Sequence, residues 1–346
     1  MAAYVSTPSV ILPDCEVSTA EIADDIQSHH GDHPRLLVAQ RAIANCGVRT
    51  RYFSHPLKSP LVSGGASVSE RTRAAFVSAL EMSKKAARKA LEVAGITVRD
   101  VDAIVTSHVT GWAVPNLDVH LIRALGLSPR VRRIPMTTLA CAGGAQSLVR
   151  ANDLVMARPH ERVLVVVAEA LSTSYLHADT TIPAMIYKAL FGDGAAAAVV
   201  TGSPLTAGFR IDETYEAWLP GSIDRYQGRL SPAGLHFDSD REAPRSAGKA
   251  MPAVQEWLAG RDLDFPVIHP GAPGIIHEVA SCLGFSDQDA RHSYDSLSNN
   301  GNLGGPAVLD VLTRTASIPP TAGDHGLLIG FGPGFVTAAL RGTWTM

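Results

Sequence analysis

Apolar positions at helical spacing and short apolar runs alternate along the chain. The segment SVSERTRAAFVSALEMSKKAARKALEVAGI has apolar side chains near helical spacing, begins with a capping box of Ser67 and Glu70, and stops at Gly95. The next run, VDAIVTSHVTG, is apolar and β-branched, as is typical of a buried strand, and similar runs recur at VLVVVAEA and PVIHPG. Helices that alternate with buried strands predict an α/β protein with layered helices and parallel strand pairing.

Two pairs of segments resemble each other, and the copies in each pair lie about 140 to 160 residues apart. ALFGDGAAAAVVTG (189–202) resembles IGFGPGFVTAALRG (329–342), since each copy has Phe-Gly-x-Gly before an Ala-rich strand. ALGLSPRVRRIPMTTLACAGGAQSLVRANDLV likewise corresponds to CLGFSDQDARHSYDSLSNNGNLGGPAVLDVLT, where a small-residue turn precedes an apolar helix. The repeat predicts two similar halves, residues 1–205 and 206–346, that face each other across a pseudo-twofold axis.

Three polar residues fall near matching ends of the two copies. Cys141 and Asn302 occupy nearly equivalent turns, and His269 ends a strand that matches the one ending near His108. Because equivalent turns meet at the pseudo-twofold axis, we expect Cys141, His269 and Asn302 to form one site. A cysteine at a strand-to-helix turn lies near backbone N–H groups, which favours the thiolate, and His269 would favour it further through an ion pair. The small residues around Cys141 would let a thioester carbonyl approach the sulfur.

The composition narrows the possible partners and compartment. The 346 residues are 46% hydrophobic and 18% charged with a formal net charge of −3, so a large core is expected and nucleic acid is an unsuitable partner. The four cysteines are far apart without a CxxC pair, which suits neither a disulfide framework nor a zinc site. We expect a cytoplasmic protein without integral membrane contact, because no leader-like N-terminus and no long apolar run is found. The segment HHGDH (29–33) is interpreted as solvated surface, and no metal site is predicted.

Five segments in order resemble one family. ACAGGAQSLVRANDL, ALFGDGAAAAVV, VIHPGAPG, NGNLGGPAVLDVL and GFGPGFVTAALRG are similar to segments of type III polyketide synthases of the chalcone-synthase type, within the thiolase superfamily. The similarity runs from about Ile11 to Arg341, and RAIANCGVRTR resembles bacterial members. It implies a five-layered αβαβα thiolase fold built from two similar halves, a homodimer, and a role in secondary metabolite biosynthesis. Coenzyme A thioesters would be the substrates, with no cofactor and no metal.

The resemblance also implies a catalytic triad. In the family the residue matching Cys141 is acylated by a starter acyl-CoA. The residues matching His269 and Asn302 donate hydrogen bonds to the malonyl thioester carbonyl and stabilise the enolate formed when carbon dioxide leaves. That enolate attacks the acyl-cysteine in a Claisen condensation, and the extended chain can cyclise to a pyrone, phenol or resorcinol.

Seven further residues are expected to bind substrate because they match family positions. Phe191 and Phe237 stand where two phenylalanines separate the coenzyme A tunnel from the elongation cavity, and Arg41 matches an arginine that meets the coenzyme A phosphates. Val109 stands where tetrahydroxynaphthalene synthases have a second cysteine. Val114, with Trp112, lies on the loop that in the family reaches toward the partner's cavity. The last two positions are Gly304, beside Asn302, and Pro333, in GFGPG. The differences from the family's usual residues at these positions concern the shape of the pocket and leave Cys141, His269 and Asn302 unchanged.

Other functions stay open at this point. A thiolase-fold acyltransferase without iterative extension, similar to ketoacyl-ACP synthase III or forming esters or amides, would share the fold, although GFGPG replaces the usual GFGGG. The order Cys, His, Asn also describes papain-like proteases, although a CGSCW-like context is missing around Cys141. A third alternative is a non-catalytic protein that binds acyl-CoA. His108 is either a polar group of the pocket or a hydrogen-bonding residue at a strand end.

Overall fold

A computed structural model describes residues 2–346, so Met1, at which the first predicted half begins, lies outside the described residues. The strands run over Ala3–Ser6 (β1), Ser9–Ile11 (β2), Cys15–Ser18 (β3), Thr50–Phe53 (β4), Ala103–His108 (β5), Arg132–Thr137 (β6), Arg162–Glu169 (β7), Gly194–Thr201 (β8), Gly208–Trp218 (β9), Tyr226–Ser231 (β10), Gly234–Ser239 (β11), Phe265–Ile268 (β12), His325–Gly332 (β13) and Val336–Thr345 (β14). The helices run over Thr19–His30 (α1), Leu36–Ala44 (α2), Pro60–Ser63 (α3), Val68–Val93 (α4), Leu117–Leu125 (α5), Gly143–Ala157 (α6), Ile182–Leu190 (α7), Ser246–Leu258 (α8), Pro273–Cys282 (α9), Arg291–Asn300 (α10) and Ala307–Ser317 (α11).

Ten strands form one mixed sheet in the order β12-β13-β14-β9-β1-β8-β7-β5-β6, with β2 also paired to β8. β5 pairs parallel with β6 and β7, and β12 pairs parallel with β13, as predicted. The prediction of parallel pairing is wrong for β7 with β8 and for β13 with β14, which are antiparallel. Residues 333–335 alone join β13 to β14, and a connection that short permits only an antiparallel hairpin.

Alternate residues of the central strands face different helical layers. Val163, Val165 and Val167 pack with residues of α6 and α11, whereas Leu164 and Val166 face α4 and α5. In the second half, Leu328 of β13 also packs with residues of α6 and α11. Leu327 and Ile329 point to the other side of the strand and face the helices α8 and α9. The two ends of the sheet therefore lie on opposite sides of α6 and α11, and the layers are helix, sheet, helix, sheet and helix, which confirms the predicted αβαβα architecture.

The longest helix begins and ends where the sequence predicts. The hydroxyl of Ser67 accepts from the backbone N–H of Glu70 at 3.3 Å, and the Glu70 carboxylate accepts from the backbone N–H of Ser67 at 2.8 Å. Gly95 follows the last turn with φ of 68°, a left-handed conformation that glycine adopts without steric cost. The capping box is intact, and α4 covers the outer face of β7 and β8.

Across residues 2–346, no helix combines the length and apolar character that crossing a bilayer requires.

Candidate active site

Cys141 lies on a strained turn between β6 and α6. A single short helical turn, Ala140–Ala142, joins the strand to the helix. Thr138 and Ala140 have φ of 64° and 47°, a left-handed conformation that non-glycine residues rarely adopt. Strain of this kind persists where the surrounding structure holds the backbone in place. The turn places the sulfur beside Asn302.

Glycines allow the Cys141 turn to pack against the second half of the chain. A Cβ at Gly144 would lie 2.3 Å from the backbone oxygen of Gly305, and a Cβ at Gly332 would lie 2.7 Å from the Cβ of Ala142. A Cβ at Gly143 would lie 2.5 Å from the hydroxyl of Ser107. The small residues around the cysteine therefore serve close packing of α6 with its neighbours, in addition to the approach of a thioester carbonyl and the helix backbone to the sulfur that the sequence predicts.

Asn302 follows α10 and precedes α11 by several residues. Its side-chain amide lies beside the sulfur of Cys141, with Nδ2 at 3.8 Å and Oδ1 at 3.9 Å. Oδ1 accepts from the backbone N–H of Gly304 at 2.8 Å, and Nδ2 donates to the backbone oxygen of Gly271 at 3.4 Å. The residue that precedes α11 is Pro306, so Asn302 is not a helix cap. Because Gly304 holds the oxygen, the amide nitrogen faces the Cys141 sulfur and the backbone oxygen of Gly271.

His269 directly follows β12 and is buried. Its backbone N–H donates to the oxygen of Ile329 at 2.9 Å, which fixes the residue at the end of the strand. A Cβ at Gly271 would lie 3.4 Å from Nε2, so Gly271 borders both the imidazole and the amide of Asn302. Nδ1 has no hydrogen-bond partner among residues 2–346. Burial lowers the pKa of His269 to about 4, so the ring is neutral near pH 7 and carries one N–H.

Desolvation works against the expected thiolate of Cys141. Burial raises its pKa to about 12, and the hydrogen bond from Asn302 offsets this only in part. The expected thiolate is therefore not favoured here, because desolvation outweighs the turn and because neutral His269 supplies no positive charge. Acylation of this sulfur requires a base to accept its proton.

A buried carboxyl, Glu169, borders the same site. Its Oε2 accepts from the backbone N–H groups of Val109 and Thr110, each at 3.1 Å, whereas Oε1 has no partner in the described part of the chain. Burial raises the pKa of Glu169 to about 8, although the hydrogen bond from Val109 works against this shift. A Cβ at Gly304 would lie 3.2 Å from Cγ of Glu169, so the missing side chain at 304 makes room for it.

Phe191 and Phe237 form an aromatic pair next to Asn302. Their ring centroids are 5.4 Å apart at an interplanar angle of 76°, an edge-to-face contact, and Tyr187 stacks on Phe191 at 5.0 Å. Phe191 pairs through its backbone with Asn302, whereas Phe237 lies on the β10–β11 hairpin. Both rings help to line a small cavity of about 20 Å³.

The other predicted substrate-binding residues are spread over several surfaces. Val109 is half-buried, and Pro333 is a half-buried residue of the loop between β13 and β14. Arg41 lies on the exposed side of α2, and Val114 is 81% exposed on the loop before α5. The structure therefore places Val109 and Gly304 against Glu169, and leaves Arg41 and Val114 at the surface.

His108 is buried at the end of β5. Nε2 of His108 donates to Oδ1 of Asn116 at 2.5 Å, and that oxygen also caps α5, so His108 is the hydrogen-bonding residue at a strand end.

The interpretation of HHGDH as solvated surface is wrong for His30, which is buried near Lys188. His29 lies with Asp25 and His177 so that one nitrogen or oxygen of each is within 4.8 Å of the others.

The protein's own hydrogen bonds already use the carboxylate of that His29 group. The Tyr175 hydroxyl donates to Oδ2 of Asp25 at 2.7 Å and Nε2 of His177 donates to the same oxygen at 2.8 Å. The absence of a metal site therefore stays a prediction.

Sequence reasoning missed Glu169 and Lys188. Each is a charged residue that ends or interrupts an apolar run, in VLVVVAEA and in IPAMIYKALFG, and a charge inside such a run is the signal that could have indicated a buried polar site.

Comparisons with known proteins cover the whole chain. The model for the N-terminal domain of chalcone and stilbene synthases matches residues 38–204, and that for the C-terminal domain matches residues 210–341. The predicted division after residue 205 falls between these matches and stays a prediction. Phloroglucinol synthase of Pseudomonas fluorescens is 33% identical over 345 residues, 98% of either chain, and 1,3,6,8-tetrahydroxynaphthalene synthase of Streptomyces coelicolor is 32% identical over 99% of this chain and 92% of the relative.

Solved structures of two bacterial enzymes resemble this chain over nearly its whole length. Tetrahydroxynaphthalene synthase from Streptomyces coelicolor superposes with a TM-score of 0.95 at 31% identity and covers 99% of both chains. Germicidin synthase from Streptomyces coelicolor superposes with a TM-score of 0.93 at 33% identity, covering 99% of this chain and 100% of the other.

Proposed function

This chain belongs to the chalcone and stilbene synthase family and is a type III polyketide synthase, an acyltransferase, and we propose that Cys141, His269 and Asn302 are its catalytic residues. The observation that carries the proposal is the contact between the two halves, in which the Asn302 amide lies 3.8 Å from the Cys141 sulfur. Non-iterative acyltransferases, cysteine proteases and non-catalytic acyl-CoA binders are not supported by full-length similarity to polyketide synthases.

Loading of the starter begins with a neutral thiol. The sulfur of Cys141 attacks the thioester carbonyl of acyl-CoA while the neutral imidazole of His269 accepts its proton. The tetrahedral intermediate collapses, the carbon–sulfur bond to coenzyme A breaks, and the imidazolium returns the proton to the departing thiolate. A buried imidazole with a pKa of about 4 holds that proton only briefly, which favours its return.

Extension uses the same groups as hydrogen-bond donors. The N–H of Asn302 and the Nε2–H of His269, which is now in the neutral tautomer protonated at Nε2 and not the one that accepted the thiol proton, donate to the thioester carbonyl of malonyl-CoA. When the carboxylate leaves as carbon dioxide, the bonding electron pair moves into the enolate, whose oxygen these donors stabilise. The enolate carbon attacks the acyl group on Cys141, a carbon–carbon bond forms, and the cysteine sulfur leaves as the thiolate.

The assembly is proposed to be a homodimer in the cytoplasm. Trp112 and Val114 are 77% and 81% exposed on one loop, which is unusual for apolar side chains and suits a surface covered by a second copy. The four cysteines are unpaired, as expected in a reducing compartment. Phe191 and Phe237 are proposed to separate the coenzyme A tunnel from the inner cavity, and Arg41 to contact the coenzyme A phosphates.

Product analysis tests this function. The purified protein is incubated with malonyl-CoA, alone and with a panel of aliphatic and aromatic acyl-CoAs, and products are identified by mass spectrometry. We expect pyrones, resorcinols or phenols that grow by acetate units. Acylation of Cys141 without consumption of malonyl-CoA would contradict the proposal and would indicate simple acyl transfer.

A further inference from the structure

The β10–β11 hairpin carries Phe237 but lies outside the ten-stranded sheet. Its strands form a two-stranded sheet of their own, in which Tyr226 pairs with Ser239 and Ser231 pairs with Gly234. A two-stranded hairpin by itself is only marginally stable in water, so contacts with the rest of the chain must hold it in place. The direction in which Phe237 points therefore depends on what anchors this hairpin.

His236 anchors the hairpin to the segment before α7. The side chain is 8% exposed, whereas its strand neighbours Leu235 and Phe237 are half-buried. Nδ1 donates to Oδ2 of Asp179 at 2.6 Å, and the Ser231 hydroxyl on the other strand donates to Nε2 at 2.8 Å. One ring nitrogen thus binds the body of the protein and the other binds within the hairpin, so both sides of the ring are held.

Asp179, which accepts this hydrogen bond, is fixed to both ends of α7. Its Oδ1 accepts from the backbone N–H of Thr181 at 3.2 Å and from the Thr181 hydroxyl at 2.9 Å, and Thr181 is the N-cap of α7. Its backbone oxygen accepts from Nζ of Lys188, on the last turn of α7, at 2.9 Å. The carboxylate therefore offers Oδ2 to His236 from a rigid position.

The two rings of the aromatic pair belong to elements that this hydrogen bond joins. Phe191 directly follows α7, and Phe237 directly follows His236 in β11. Because adjacent side chains of a strand point to opposite faces, a bond that holds His236 also fixes the rotation of the strand and the direction of Phe237. The edge-to-face contact between Phe191 and Phe237 then depends on the bond from His236 to Asp179.

A second side chain of the hairpin, Arg229, approaches the same carboxylate less closely. Its Nη2 lies 3.7 Å from Oδ2 of Asp179, while its Nε donates to Asp238 at 2.6 Å. The Arg229 side chain is 50% exposed, and exposed ion pairs contribute little. Burial would raise the pKa of Asp179, but the hydrogen bonds from His236 and Thr181 outweigh it and hold the pKa below its ordinary value. His236 is therefore the main anchor, and Arg229 can still shield the carboxylate when His236 is replaced.

We propose that His236 is a positioning residue that holds the β10–β11 hairpin through its hydrogen bond to Asp179, directs the ring of Phe237 toward Phe191, and thereby sets how strictly the enzyme selects its starter. The proposal rests on the proposed function, because starter selection by the aromatic pair requires that the enzyme load an acyl-CoA. His236 acts through Phe237 and does not itself contact the reacting atoms.

A double-mutant cycle between His236 and Phe237 tests the proposal. The readout is the ratio of kcat/KM for benzoyl-CoA as starter to kcat/KM for acetyl-CoA, with malonyl-CoA as extender. We expect His236→Leu to raise this ratio by about 3- to 10-fold when Phe237 is present. In the Phe237→Ala background the same substitution should change the ratio by less than about twofold, because the ring that His236 positions is gone. A structural effect that does not pass through Phe237 would be equal in both backgrounds.

Two further variants separate the hydrogen bond from the fold. In His236→Asn the amide nitrogen can donate from the position of Nδ1, so the ratio should stay within about twofold of the wild type. Gln227→Leu changes an exposed side chain of β10 that binds Asp224, and this matched control should leave the ratio unchanged. His236→Ala serves if His236→Leu fails to fold, and the same result is expected for it.

Hydrogen exchange gives a readout that does not depend on turnover. Amides of residues 226–239 should exchange faster in His236→Leu than in the wild type or in Gln227→Leu, whereas amides of β7 and β8 should not change. Equal effects of His236→Leu in both backgrounds, an unchanged starter ratio, a wild type that loads neither starter, or unchanged exchange in the hairpin would overturn the proposal. If the wild type makes no extended product from any substrate, the proposed function itself fails, and the exchange result still decides whether His236 anchors the hairpin.

Discussion

Asn302 and Phe191 are paired through their backbones. The N–H of Asn302 donates to the oxygen of Leu190 at 2.8 Å, and the N–H of Gly192 donates to the oxygen of Asn302 at 3.1 Å. These two bonds flank Phe191 and tie the amide beside Cys141 to the aromatic pair that borders the cavity. The same backbone contact therefore positions the Asn302 amide and one of the rings that line the cavity.

The ring of Phe237 should limit which starters pass. Phe237→Ala removes one side of the edge-to-face pair. We expect the ratio of kcat/KM for a ring-bearing acyl-CoA starter to kcat/KM for acetyl-CoA to rise by about 10- to 100-fold. Malonyl decarboxylation should change little, because Asn302 and His269 are untouched. Phe285→Ala removes a ring that packs against the apolar cluster around α8 and α9, and it is the matched control. An unchanged starter ranking in Phe237→Ala would show that this ring is only part of the core.

The amide of Asn302 should act mainly in decarboxylation. Asn302→Ala removes one donor to the developing enolate oxygen, which costs about 3 kcal/mol or a factor of 10² to 10³ in comparable sites. Carbon dioxide release from malonyl-CoA should fall by that factor, whereas acylation of Cys141 should persist. Asn299→Ala alters an amide on α10 that contacts Arg49 and should leave the rate unchanged. Decarboxylation at the wild-type rate in Asn302→Ala would remove this residue from the mechanism.

Acid should destabilise the fold in part through His269. Its pKa is about 4 in the folded protein and near 6.5 in an unfolded chain, so below pH 6.5 the unfolded state binds a proton that the folded state does not. The free energy of unfolding should therefore fall as the pH drops from 6.5 to 4, by up to about 3 kcal/mol for this group. Urea denaturation at pH 7.0, 5.5 and 4.5 should show a shallower loss for His269→Asn. Equal slopes for both proteins would contradict the buried neutral imidazole.

Two exposed apolar residues should hold the proposed dimer together. Trp112→Asp combined with Val114→Asp places charges on the loop before α5, and we expect sedimentation analysis to show dissociation into monomers at micromolar concentration. Ile318→Asp, at another exposed apolar position, is the control and should remain dimeric. A wild-type monomer, or a dimer that tolerates both changes, would place the interface elsewhere.

The contact between Cys141 and Asn302 could be predicted because it follows from a repeat, and the α/β layers could be predicted because helical segments alternate with buried strands. Equivalent turns of two similar halves meet at the axis wherever the halves pack, and α6 and α11 occupy that centre here. The capping box of Ser67 and Glu70 was predictable for a different reason, since it is a local interaction within four residues.

Features set by distant parts of the chain could not be predicted. The pKa of Cys141 depends on desolvation by residues from both halves, so the local turn alone suggests the wrong direction. Lys188 and His30 are 158 positions apart in sequence, and only packing of α7 against α1 brings them together. The cavity's size depends in the same way on side chains that no short motif contains.

The central claim is that Cys141 carries the growing chain. Intact-protein and peptide mass spectrometry after incubation with acetyl-CoA measures this directly, in the wild type and in Cys141→Ala, with Cys282→Ala as the control for a second thiol. We predict one added acetyl group on the Cys141 peptide of the wild type and of Cys282→Ala, no adduct on Cys141→Ala, and no extended product from Cys141→Ala. Extended product from Cys141→Ala at the wild-type rate would contradict the mechanism.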